Sequence, residues 1–218
     1  MLKKLIFYCI FFSFLACAED DQREEEISQI PVNVEISRFD QRFARATADS
    51  LPALKQDFPY LFPKQFADSV WVQKMNDSIQ LELQEAVEEQ FPDLTETKNE
   101  LERLFQHIKY YFPGEELPQV VTLTSDVDYR NQVIWTSELL LISLDTYLGT
   151  ENPLYVGVQD FIRKNFDREQ IVVDVAAAFG ETEVENPASR SFLDQMIYYG
   201  KLLYLKDLLL PFKSDAQR

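Results

Sequence analysis

Residues 125–131 form a polar stretch between two apolar runs. This stretch, SDVDYRN, concentrates side chains that can bind or react: Asp126, Asp128, Tyr129, Arg130 and Asn131. A loop is expected here, and loops often carry function. Asp126 and Asp128 have the spacing that opens a calcium loop, but Arg130 replaces the next ligand and no glycine follows. We therefore predict no calcium site. Two interpretations stay open, an Asp–Arg pair that fixes the turn and a surface that contacts a protein partner.

Acid–base catalysis would need two carboxylates placed around one substrate. The candidates are Asp126, Asp128, Asp145 and Asp174, and nothing in the sequence places two of them together. The single histidine, His107, lies beside the apolar stripe of a predicted helix, where a hydrogen-bonded or half-exposed imidazole is expected. No second histidine or cysteine in the domain completes a zinc site. We predict no enzyme, no metal and no cofactor, with an envelope hydrolase as the alternative.

Composition narrows the classes of partner. The net charge is −16, and removal of residues 1–16, which carry Lys3 and Lys4 and no acid, makes it −18. Nucleic acid is therefore excluded as a partner. Ten tyrosines and seventeen phenylalanines could line a pocket for an apolar ligand, but aromatic residues at helical spacing more often form plain core.

The N-terminus has the parts of a secretory signal. A basic start is followed by an apolar run from Leu5 to Leu15 and then by Ala16 and Cys17. A small residue directly before a cysteine resembles the lipobox of bacterial lipoproteins, although Phe14 replaces the more usual aliphatic residue. We predict residues 1–16 as the signal peptide and Cys17 as the lipidated first residue of the mature chain. An ordinary cleaved signal with a chance cysteine is the alternative.

Residues 17–30 are polar and acidic, and we predict a solvated tether behind the lipid. Several acyl chains on one cysteine hold a protein at a membrane, whereas a single chain binds only marginally. The predicted protein is anchored to a membrane and does not span it. Because Cys9 lies in the signal and Cys17 carries the lipid, residues 31–218 have no thiol for a disulfide or a metal.

Residues 31–218 predict one α+β domain with a small central sheet packed by helices. Strands are expected at 31–39, 120–124, 132–135 and 139–144, an irregular aromatic loop at 49–63, and helices at 68–90, 97–112, 153–166, 168–181 and 189–211. A capping box of Thr97 and Glu100 is expected to open the second helix.

The last helix, Ser189–Pro211, is apolar around most of its circumference, so we expect it to be the buried core helix. Its length of roughly 28 Å could cross a bilayer. Four charged side chains within it argue against a membrane span, because each would cost on the order of 3 kcal/mol at bilayer depth.

Several stretches of the chain carry a family likeness: the signal ending at Cys17, DSVWVQKMNDSIQLELQEAV, HIKYYFP, TSDVDYRNQVI, LLLISLDTYLG, IRKNF, IVVDVA and QMIYYGKLLYLKDLLLP. In these stretches the chain resembles the gliding motility lipoprotein GldB family of Bacteroidetes. The resemblance implies a lipid-anchored component of the cell envelope that gliding needs, a non-catalytic scaffold that also supports the associated secretion machinery. Its expected partners are a membrane, through the lipid, and other gliding or secretion proteins. The periplasmic side and the outer membrane both stay open as its location.

Two further expectations come from family likeness. The chain stops at Arg218, earlier than other members, which predicts a truncated C-terminus and an uncovered edge of the core. Strands followed by an apolar helix also look like the zincin architecture, in which that helix bears H-E-x-x-H and binds zinc. Here the corresponding helix, MIYYGKLLYLKD, contains no histidine and no glutamate. The expectation is a zincin-like fold without zinc ligands.

Overall fold

A four-stranded sheet forms the centre of the domain. The computed structural model describes residues 22–214 and residue 217, so the predicted signal peptide and Cys17 lie outside the described residues. The strands are β1 (Ile36–Arg38), β2 (Gln119–Leu123), β3 (Val133–Trp135) and β4 (Leu139–Ser143). Their order is β1-β2-β4-β3, with β1, β2 and β4 parallel and β3 antiparallel to β4. All four predicted strands are confirmed, the first as a shorter segment.

Helices cover both faces of this sheet. They are α1 (22–28), α2 (Phe39–Ala44), α3 (Leu51–Asp57), α4 (Asp68–Met75), α5 (Ser78–Gln90), α6 (Thr95–Tyr111), α7 (Asp160–Arg163), α8 (Ile171–Glu183) and α9 (Phe192–Leu209). Because side chains alternate along a strand, neighbouring residues of β2 enter different cores. Val120 packs into the larger core with α6 and α8, and Val121 packs into a smaller core with α2, α3 and α4. The predicted single α+β domain is confirmed.

The buried helix of the domain is α8, and the prediction that Ser189–Pro211 is the core helix is wrong. Ile171, Val172 and Val175 of α8 are fully buried, as is Phe179, whose ring lies 5.1 Å from the Trp135 ring. In contrast, α9 buries only Leu205 and Leu209 within its own range, on the side that packs against α8 and α6. It crosses α8 closely because Gly180 has no side chain, and a Cβ there would lie 3.3 Å from Leu202. Apolar residues all around a helix therefore do not establish that other elements surround it.

Local capping changes two predicted helices. The expected helix 68–90 breaks at Asn76 and Asp77, because the Asp77 carboxylate accepts hydrogen bonds from the N–H groups of Ile79 and Gln80 and starts α5 anew. The helix predicted from Thr97 begins two residues earlier, at Thr95. Its first N–H is bound by the Asp93 side chain at 2.9 Å, so the predicted capping box is not the start of α6.

Two segments predicted as irregular contain helices. Pro52 occupies the first turn of α3, where a proline costs no hydrogen bond, so residues 51–57 are helical although prolines surround them. Residues 22–28 form α1, where the sequence predicted a solvated tether. Ile27 is 1% exposed, and Gln106 of α6 donates a hydrogen bond to the carbonyl of Ile30 at 3.0 Å. The acidic composition of residues 17–30 predicted a solvated segment, and the burial of Ile27 could not be read from it.

Candidate functional site

The loop between β2 and β3 has a fixed and strained backbone. Asp126 and Val127 have φ values of 62° and 58°, in the left-handed region that residues other than glycine rarely adopt. Such conformations persist only where the surroundings enforce them. This segment, residues 125–131, contains all five residues that the sequence predicted as a partner-contact surface, and we call it the DVDYRN loop.

Asp145 enforces the conformation of the DVDYRN loop. Asp145 is fully buried, and it lies in the single helical turn Leu144–Thr146 that follows β4. Its carboxylate accepts hydrogen bonds from the backbone N–H of Val127 at 2.7 Å and of Ser125 at 3.0 Å. Burial raises the pKa of Asp145, and the hydrogen bonds from Val127 and Ser125 oppose that rise. Asp145 was predicted only as a possible catalytic carboxylate, and here its oxygens hold the loop.

Asp126 joins the DVDYRN loop to the helices beside it. Its carboxylate pairs with Lys74 of α4 at 2.9 Å and accepts a hydrogen bond from Gln80 of α5. An open groove of about 400 Å³ begins here and is lined by Val70, Gln73, Lys74, Asp77, Ile79, Gln80 and Asp126. Val70 of α4 and Ile79 of α5 are both exposed at this groove. The groove combines exposed apolar groups with ionic ones.

Asp128 fixes the end of the loop through amide groups. It accepts hydrogen bonds from the Asn131 side chain at 2.8 Å and from the backbone N–H of Arg130 at 3.2 Å. These bonds hold the pKa of Asp128 below its ordinary value. An aspartate thus fixes the turn, but through the Asn131 amide and a backbone N–H and not through the Asp–Arg pair that one interpretation expected. The contact with Arg130 uses its backbone, and the guanidinium lies 6.0 Å from the centre of the Tyr129 ring.

The outer side of the DVDYRN loop presents Arg130 and Asn131 to solvent. Tyr129 is half-buried, and its ring lies 6.4 Å from the Phe166 ring at the edge of the core. The loop therefore has an immobilised base and a polar, exposed tip. That is the geometry of a surface that can be recognised without rearrangement.

Asp174, the other predicted catalytic candidate, is bound to Tyr147. The Tyr147 hydroxyl donates to the Asp174 carboxylate at 2.8 Å, and Gln170 lies 3.5 Å from its other oxygen. Burial raises the pKa of Asp174 to about 6, against the lowering effect of these two hydrogen bonds. Burial also raises the pKa of Tyr147 well above its ordinary value, and the nearby Asp174 charge adds to that. Asp145 and Asp174 are thus both engaged by groups of the protein itself.

His107 links three parts of the chain. Its Nδ1 lies 2.8 Å from the carbonyl of Arg103, so it donates there, and its Nε2 lies 3.2 Å from the Glu24 carboxylate of α1. Its ring is 5.9 Å from that of Phe212, which follows α9. The predicted hydrogen-bonded imidazole is confirmed, and it is buried.

One ionic network was not predicted. Arg38 binds the buried Asp40 at 2.7 Å, and Thr122 of β2 donates to the same carboxylate at 2.6 Å. An adjacent groove of about 380 Å³ is lined in part by Arg38, Arg42 and Arg45, and each guanidinium pairs with a carboxylate. The sequence signal was weak, since an aspartate in the first turn of a helix normally serves the helix dipole.

Within residues 22–214, no three histidine, cysteine or acidic side chains are grouped so that they could hold a metal ion. The same part of the chain contains no helix with the length and apolarity that a bilayer crossing requires. The zincin likeness stays a prediction.

Comparison with known proteins gives one result. Neither a curated protein nor a solved structure matches the sequence. The family model described as gliding motility protein GldB matches residues 20–218, which include the DVDYRN loop, the sheet and every helix described above. The chain therefore belongs to the gliding motility protein GldB family.

Proposed function

We propose that this protein is a lipid-anchored, non-catalytic scaffold of the gliding apparatus, which acts by presenting the DVDYRN loop to another protein of that machinery. Family membership supports the role in gliding. The observation that carries the mode of action is the buried Asp145 carboxylate, which holds an exposed loop in one strained conformation. A preformed loop lowers the entropic cost of binding.

The chemistry of the loop favours a polar protein surface as its partner. Arg130 offers a planar cation at the tip, and Asn131 is exposed beside it. The groove behind the loop adds the apolar side chains of Val70 and Ile79. Exposed apolar groups surrounded by charged ones are typical of protein interfaces.

The anchoring part of the proposal rests on Cys17. Replacement of Cys17 by alanine is expected to release the protein from the membrane fraction, because no acyl chain can then be attached. Unchanged membrane association of this variant would refute lipidation.

The scaffold role is tested by complementation of a deletion strain. We expect the null strain to stop spreading on agar and the wild-type gene to restore spreading. Arg130→Glu should fail to restore it, because the partner meets a reversed charge. Arg190→Glu makes the same charge change at an exposed position before α9 and should restore it fully.

The two outcomes that contradict the proposal are distinct. Normal spreading of the null strain would remove the motility role. Full rescue by Arg130→Glu, with protein levels equal to wild type by immunoblot, would remove the DVDYRN loop as the contact surface.

A further inference from the structure

The outer side of α9 is an apolar surface with no covering element among the described residues. We define the α9 outer face as Phe192, Leu193, Met196, Ile197, Leu203 and Tyr204, which are between 48 and 82% exposed. At 100° per residue they occupy an arc of about 140°. Asp194 lies outside that arc, and Lys201 lies about 40° beyond its edge. The exposed Asp207 points to about 60° from Phe192, within the arc but beyond Tyr204 along the helix, so the apolar face ends between these two residues. A continuous exposed apolar face of this kind indicates an interaction surface.

The α9 outer face and the segment that leads to Cys17 are close together on the molecule. The Tyr111 hydroxyl of α6 lies within electrostatic range of Arg23 and Glu24 in α1 and of Tyr204 in α9. The His107 imidazole likewise contacts Glu24 on one side and Phe212, just after α9, on the other. Therefore α1 and the C-terminal half of α9 both lie near the C-terminal end of α6.

The length of chain between Cys17 and the described residues is short. Four residues, 18–21, lie between Cys17 and the start of α1 at residue 22, so the two Cα atoms are five steps apart and at most about 18 Å from each other. An acylated Cys17 would thus hold the membrane surface within that distance of α1. Because α1 is docked on α6, the body of the domain cannot move far from the lipid headgroups.

From this placement we propose that the α9 outer face rests in the interfacial layer of the membrane that holds Cys17. The inference rests on the lipid anchoring in the proposed function. Leucine, isoleucine, methionine and phenylalanine enter the acyl boundary, the Tyr204 ring suits the headgroup level, and Lys201 at the edge can reach the phosphates. The membrane is the proposed occupant because an acylated Cys17 keeps it within about 18 Å of α1, whereas nothing among the described residues holds a second copy there.

The test uses the full chain, processed in its bacterial host and reconstituted into vesicles of phosphatidylethanolamine and phosphatidylglycerol. Met196→Cys places one thiol on the α9 outer face, and Glu82→Cys places one on an exposed polar position of α5. Each is the only thiol that can be labelled, since Cys9 is removed and Cys17 is acylated. A fluorescent label at position 196 should be at least twofold more strongly quenched by nitroxide-labelled lipids than the label at position 82, and blue-shifted.

Three outcomes would overturn the inference. Equal quenching at both positions in protein that floats with the vesicles would leave the anchor intact and exclude membrane contact by α9. A blue-shifted label at 196 that lipid nitroxides do not quench would show that protein, such as a second copy, covers the face. Protein that does not float at all would refute the anchoring itself, and the inference would fall with it.

Discussion

The carboxylate of Asp145 accepts a hydrogen bond from the backbone N–H of Val127 at 2.7 Å. The two residues are 18 positions apart, and Val127 has a φ of 58°. A buried acid at the end of the sheet thus determines the conformation of an exposed loop that precedes it in the chain.

We predict that Asp145→Asn lowers the free energy of unfolding by about 1–3 kcal/mol, because the amide has one acceptor oxygen and its NH₂ group faces N–H donors. Urea denaturation followed by circular dichroism measures the change. Glu138→Gln, a similar change at an exposed site, should alter stability by less than about 0.5 kcal/mol. Equal stability of the two variants would contradict the assigned role of Asp145.

The raised pKa of Asp174 should make the free energy of unfolding depend on pH. Its pKa is raised from the ordinary 3.8 to about 6, mainly by burial, so the folded state binds more protons than the unfolded state between these values. Stability contributed by this group is therefore present at low pH and falls as the pH rises from about 4 to about 6. A shift of this size corresponds to ~3 kcal/mol at most.

Asp174→Asn removes this titration. The difference in free energy of unfolding between wild type and variant should move in favour of the variant by about 1–3 kcal/mol from pH 4 to pH 7. Using the difference cancels other groups, such as Asp145. An amide at this position can still accept the hydrogen bond from Tyr147. A difference that stays constant with pH would show that Asp174 titrates normally.

Patterns that depend on near neighbours in the sequence predicted much of the fold. The apolar runs of β2 and β4 located the sheet. The last helix was also located, and Ser191 caps it by accepting a hydrogen bond from the N–H of Asp194. The DVDYRN loop was located because its polar residues stand between two strands. In each case the deciding interactions lie within a few residues.

Interactions between distant residues could not be predicted. The role of Asp145 depends on a loop about 20 residues earlier, and that of Asp40 depends on Thr122, 82 positions away. The prediction that α9 is buried was wrong for the same reason. The composition of a helix gives the amount of its apolar surface but not which elements cover that surface. Family likeness supplied the role in gliding, which no local pattern encodes.

A buried ion pair holds the segment after α9 in place. Lys213 is 7% exposed, and its ammonium group lies 2.5 Å from the Glu100 carboxylate of α6 and 3.2 Å from the carbonyl of Glu169. We predict that Glu100→Gln destabilises the fold by about 1–3 kcal/mol, because it leaves a buried cation without its counter-ion.

The double variant of this pair distinguishes charge from packing. Lys213→Met combined with Glu100→Gln should recover at least half of the loss caused by Glu100→Gln alone, since no unpaired charge remains. Denaturation of all four proteins completes the cycle. Additive losses in the double variant would mean that the two side chains do not interact.

The docking of α1 gives the last prediction. Ile27 is almost fully buried, whereas Glu25 in the same helix is exposed. Alanine favours helix formation more than isoleucine does, so Ile27→Ala leaves the intrinsic preference of the segment unharmed and removes only its contact. Amide hydrogen exchange in residues 22–30 should become more than tenfold faster, while the amides of β2 and β4 keep their protection. Glu25→Ala should change the exchange rate in neither region.

If Ile27→Ala left exchange in residues 22–30 unaltered, the hydrogen bonds of Glu24 and Gln106 would suffice to hold α1, and burial of Ile27 would not be what docks it.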